Sequence, residues 1–81
     1  MNVLDKTMTI LKTIDDAGRP LNFSELTNRI DLPIFSIIWH VKWRMLNTLL
    51  RVEKEETDRN QRPIRYYGLT PRGYAKLEAM Q

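Results

Sequence analysis

Two breaks in the chain constrain its fold more than any other feature. Gly18-Arg19-Pro20 closes one stretch and Asp31-Leu32-Pro33 opens the next. Glycine ends helices through the left-handed conformation, and proline cannot continue one. Only residues 21–30 lie between the breaks. A segment that short holds a helix of about two turns, with tight turns on both sides.

Before the first break, Leu4, Met8, Leu11 and Ile14 recur at helical spacing. This predicts a helix over 3–17. Arg19 to Leu21 has room for a strand of one or two residues. Asn22 stands three residues before Glu25, a variant of the capping box, and predicts a helix over 23–30 that buries Phe23, Leu26 and Ile30. A third helix is predicted over 34–48. At about 100° per residue, Ile34, Ile38, Val41, Met45 and Leu49 form one apolar stripe. Ser36, His40 and Asn47 gather opposite it, with Arg44 at the edge. A short helix, a tight turn and a longer helix with one polar face are the parts of a helix-turn-helix.

Beyond residue 49 the period changes. Leu50 and Val52 alternate with Arg51 and Glu53, predicting a strand over 50–57. Residues 58–62 are polar and form the turn. A second strand follows over 63–69, carrying Ile64, Tyr66 and Tyr67. The hairpin so formed has an arginine-rich tip. Thr70 suits an N-cap and Pro71 the first helical position, predicting a last helix over 71–80. The fold class expected is α+β: one domain over 1–81, with a three-helix core, a two-stranded hairpin and a C-terminal helix.

Charge is distributed unevenly along this order. The net charge is only +3. Residues 1–33 carry four basic and five acidic side chains, while residues 34–81 carry nine basic and five acidic. The stretch from Arg59 to Arg72 holds four arginines and no acid. A one-sided basic surface is what a phosphate backbone selects. Without cysteine there is no disulfide framework, thiolate metal site or cysteine nucleophile. One histidine and no glycine-rich phosphate loop leave little for a catalytic centre, so neither enzyme activity nor a cofactor nor a metal is expected. The N-terminus does not read as a signal or transit peptide. No apolar run approaches the roughly 20 residues that cross a bilayer. A cytoplasmic protein without membrane association is expected.

The segment Arg65-Tyr66-Tyr67-Gly68-Leu69-Thr70-Pro71-Arg72-Gly73 resembles the end of the wing in MarR- and PadR-type winged helix-turn-helix transcription regulators. There a Tyr-x-Leu-Thr-x-x-Gly pattern leads from the second wing strand into the next helix. Tyr67, Leu69, Thr70 and Gly73 match it. His40-Val41-Lys42 is similar to the His-Leu-Lys stretch in recognition helices of ArsR- and MarR-like proteins, and Phe23-Ser24-Glu25-Leu26 resembles the start of their second helix. The families usually place glycine where helix 3 gives way to the strand; this chain has Thr48-Leu49-Leu50. Their longer terminal helices, used for dimerisation and effector binding, have no counterpart, so no small-molecule effector is expected.

The resemblance implies a sequence-specific regulator of transcription on double-stranded DNA, and the small size points to a dimeric repressor. The recognition helix would enter the major groove and the wing would meet the minor groove. Ser36, Trp39, His40 and Trp43 are placed to reach base edges, and Asn47 could pair with adenine. Lys42 and Arg44 suit phosphates. Arg59, Arg62 and Arg65 sit at the wing. Leu4, Met8 and Leu11 on helix 1, with Tyr74, Leu77 and Met80 on helix 4, can face the core or a second copy, which makes them the candidate homodimer surface. Phe35 and Leu46 are expected in the core. For Trp39 and Trp43 three readings stand open: core, contact with sugars or thymine methyl groups, or a protein interface. The competing function is a winged helix used as a protein–protein interaction module within a larger complex.

Overall fold

The computed structural model describes residues 2–81. Helix α1 spans Val3–Ala17, α2 Phe23–Arg29 and α3 Ile34–Trp39, the last continued by a π-helical segment, His40–Met45. Strands β1 (Leu50–Thr57) and β2 (Pro63–Leu69) follow, then α4 (Pro71–Ala79). The strands pair antiparallel as a two-stranded sheet. The architecture is α+β, in an order compatible with a winged helix. No helix among the described residues is long and apolar enough to cross a membrane.

The local signals act as their chemistry requires. Gly18 takes φ 69°, and its N–H donates to the Asp15 carbonyl to close α1. The capping box is complete: Asn22 Oδ1 accepts from the Glu25 amide at 2.8 Å, and Glu25 Oε1 accepts from the Asn22 amide at 3.2 Å. Helix α2 ends at Arg29, with Ile30 as its C-cap, and α4 ends at Ala79. Leu21 exchanges two backbone hydrogen bonds with Tyr67, at 3.1 and 2.8 Å, as a one-residue addition to the hairpin.

The core gathers Ile10, Leu11 and Ile14 of α1, Leu21, Leu26 and Ile30, Ile37, Val41 and Met45 from the third helix, Leu50, Tyr67 and Leu69 of the hairpin, and Leu77 of α4. Thr70 joins its two ends. Its side chain caps α4 by accepting from the Gly73 amide at 3.1 Å. Its hydroxyl also donates to the Thr48 carbonyl, and its amide to the Leu49 carbonyl at 3.0 Å. The start of α4 is thereby fastened to the segment leaving the third helix.

The third helix departs from expectation in length and in facing. It ends at Met45, three residues before Thr48, and Leu46 is already extended at ψ 135°. Its last turns are π-helical: the Leu46 amide donates to the Val41 carbonyl, five residues back. The buried residues Ile37, Val41 and Met45 recur every four positions, with His40 beside them. Repeated steps of four outrun an α-turn of 3.6 residues, and the wider π-turn absorbs the drift. The buried stripe is therefore centred on Ile37 and not on Ile34 and Ile38. Ile34 is exposed and Ile38 half-buried. Phe35, expected in the core, is 82% exposed, whereas Leu46 does pack against the core.

Candidate nucleic-acid interface

Five cations and four acids lie on the hairpin, from Leu50 to Leu69. Three pairs form along its flanks: Arg51 with Glu53 at 3.1 Å, Lys54 with Glu56 at 2.7 Å, and Arg65 with Glu55 at 3.0 Å. Glu55 and Arg65 are register partners across the two strands. The hydrogen bond from Lys54 to Glu56 pushes the lysine pKa above its ordinary value. Asp58, Arg59 and Arg62 remain at the tip.

Asp58 is committed to the turn. Its Oδ1 accepts from the Asn60 amide at 2.8 Å and from the Arg62 amide at 2.9 Å. Such side-chain-to-backbone bonding is what aspartate contributes to turns. Gln61 completes the turn in the left-handed region, at φ 62°. Arg59 and Arg62 have no ion-pair partner among the described residues. Both are exposed. The three wing arginines foreseen in the sequence thus divide into a free pair at the tip and one, Arg65, neutralised at its side.

The third helix presents aromatic rings to solvent. Trp43 is 77% exposed and Trp39 46%. With Phe35, 82% exposed, they recur every four residues, the same step as the buried stripe, and so form one exposed aromatic ridge along the helix. One cation lies on it, the Arg44 guanidinium 5.6 Å from the Trp39 ring centroid, while Lys42 Nζ reaches toward α2 and stands 6.0 Å from the Phe23 centroid. Both lie within cation–π range.

Two of the predicted readers are not on this face. His40 is only 3% exposed. Its Nδ1 lies 2.7 Å from the Ser36 carbonyl oxygen. A carbonyl only accepts, so this contact selects the tautomer with the proton on Nδ1. Nε2 is buried with no partner among the described residues, and the Trp39 ring stands edge-on 4.9 Å away. Asn47 lies beyond the helix, at φ 67°, with its amide donating to the Leu50 carbonyl at 2.7 Å. It holds the left-handed position that turns helix into strand, which asparagine tolerates better than most residues. Ser36 is half-buried. The cause in each case is the rotated, shortened helix described above.

Helix and hairpin nevertheless share one concave surface. Lys42 and Trp43 line it from the helix, Leu46 from just past the helix end, and Arg65 and Tyr67 from β2. Phe23 of α2 and Pro63 extend it. Phe23 and Tyr67 pack ring to ring at 5.1 Å. Burial pushes the Tyr67 phenol above its ordinary pKa, which keeps it a proton donor beneath the groove.

The candidate pairing surface is also divided. Leu11 and Leu77 are buried in the core, so neither is free for a second copy, and Met8 is half-buried against it. Leu4, Tyr74 and Met80 are exposed, as is Val3. The exposure of Phe35 beside Trp39 and Trp43 is the feature that sequence reasoning missed. The four-residue spacing of Ile37, Val41 and Met45 was the available signal. Comparison with protein-family models, with curated proteins and with solved structures finds no match to this chain.

Proposed function

We propose that this chain is a winged helix-turn-helix domain that binds double-stranded DNA and regulates transcription, as the MarR- and PadR-like features of its wing imply. The observation that carries the reading is the division of charge on the hairpin. Every flank carboxylate has a cation beside it, and the one tip carboxylate is spent on backbone amides. Arg59 and Arg62 are left without an ion-pair partner among the described residues and outnumber the one carboxylate at the end of an extended hairpin, a form suited to a narrow groove of negative potential. The shared groove supports the second half of the reading, because Lys42 of the helix and Arg65 of the wing line one surface. The helix meets the major groove through its outward face, with Lys42 and Arg44 toward phosphates.

Two copies related by a two-fold axis would place two such helices about one DNA turn apart. Val3 and Leu4 of α1, Tyr74 of α4 and Met80 just past its end are exposed apolar residues that support pairing. Light scattering behind size exclusion tests it: twice the chain mass is expected, and a concentration-independent monomer rejects the pairing.

The test of DNA binding is retention on a duplex at two salt concentrations. Phosphate contacts release counterions, so binding must weaken steeply as salt rises. The exposed aromatic ridge favours a second reading, a protein-docking module. That module would bind its partner with little response to salt and would ignore duplex DNA.

A further inference from the structure

The outward face of the third helix poses a chemical question to a duplex-binding domain. Its exposed side chains are Ile34, Phe35, Trp39, Lys42, Trp43 and Arg44. It carries no amide side chain, since Asn47 lies past its end, and its histidine is buried. The Arg44 guanidinium lies over the Trp39 ring. The usual bidentate readers of adenine are therefore missing from the face that would approach base edges. What the face offers in quantity is aromatic surface.

Base edges in the major groove present donors and acceptors at every pair, and one apolar group: the C5-methyl of thymine. Resting on the duplex-binding reading above, we propose that Phe35, Trp39 and Trp43 recognise thymine methyl groups, so that the domain selects T-rich duplex sites by apolar contact. Charge complementarity favours a polyanion over a protein as the occupant of the ridge. Lys42 and Arg44 are exposed beside it in the chain, and residues 32–52 contain no acid. A helix face whose only charged side chains are cationic fits a ligand whose edges are phosphates and whose floor carries methyl groups.

Uracil provides a clean probe, because it keeps pairing and charge and removes only the methyl. The measurement is titration of the whole chain with a 24-base-pair alternating A·T duplex (about two helical turns) and with the same duplex carrying uracil for thymine. Binding to the uracil duplex should be about tenfold weaker, the loss of roughly two buried methyl groups. Phe35→Ala and Trp43→Ala alter highly exposed side chains and leave the fold intact, as a thermal melt will verify. Each should erase most of the difference between the duplexes while preserving the slope of affinity against salt, since no phosphate contact is lost. Equal affinity of the natural chain for both duplexes, with a steep salt slope retained, would overturn methyl recognition and leave duplex binding standing. Absence of binding to either duplex would overturn both. Self-association that Phe35→Ala abolishes would assign the ridge to a second copy and likewise overturn the proposal.

Discussion

Gly73 stands so close to Leu49 that a Cβ on it would lie 2.2 Å from the Leu49 carbonyl oxygen. That carbonyl already accepts from the Thr70 amide, so it cannot turn aside without loosening the cap of α4. Gly73→Ala should therefore lower unfolding free energy by about 1–3 kcal/mol, the usual cost of forced overpacking. Gly68→Ala is the control. Its Cβ would meet the Glu53 side chain, which can swing away, so it should cost less. Urea unfolding of the two variants checks the order. Equal losses would show that the Leu49 contact is not special.

Asn47 should matter for folding and not for sequence reading. Its left-handed conformation costs a residue with a Cβ roughly 1–2 kcal/mol, less for asparagine. Asn47→Ala should lower stability by about 1 kcal/mol, and Asn47→Gly should change it little. Both variants should keep the parent's duplex affinity where they are folded. A changed preference among duplexes selected from a random library would restore Asn47 as a reader.

His40 should behave as an interior residue. His40→Ala removes a buried ring and its bond to the Ser36 carbonyl, costing about 2–4 kcal/mol. Thermal melts should show the loss, while the bases preferred by the folded protein stay the same. A stable variant with altered preference would place His40 on the DNA after all.

These two residues mark where the sequence was legible and where it was not. Elements announced by local chemistry appear where they were read: the Gly18 stop, the Asn22–Glu25 box, the alternation of the hairpin and the Thr70–Pro71 start. Each is settled by atoms a few residues apart. The facing of the third helix depends instead on which isoleucine anchors the stripe: Ile34 and Ile38 or Ile37 each align with Val41 and Met45 on an α-periodic wheel, and the local pattern does not choose between them. Anchoring it on Ile34 and Ile38 placed Phe35 inside and His40 outside, the reverse of what the fold does. The tip charge was partly legible. The arginines were visible, but the loss of Arg65 to Glu55 depends on cross-strand register, which the sequence does not print.

Acid should loosen the junction between α1 and α2. The Arg19 guanidinium, and next the Asn22 amide, hold the Glu25 carboxyl below its ordinary pKa. A depressed carboxyl adds stability that is complete above the unfolded glutamate value of about 4.3 and is lost as pH falls through the lower folded value. Melting temperature should fall below about pH 4.5, and Glu25→Gln should make that fall shallower. Identical acid profiles for the two proteins would remove Glu25 from the account.

Salt dependence of duplex binding tests the central claim most directly. Affinity should fall along a straight line of log affinity against log salt, with a slope of about −0.9 for each phosphate neutralised. Replacing Arg59 and Arg62 together by alanine should weaken binding to all duplexes alike and reduce the slope by about 1.8, two phosphates' worth. No binding to duplex DNA at low salt, or a slope that the double variant leaves unchanged, would contradict an arginine-tipped wing that grips the phosphate backbone.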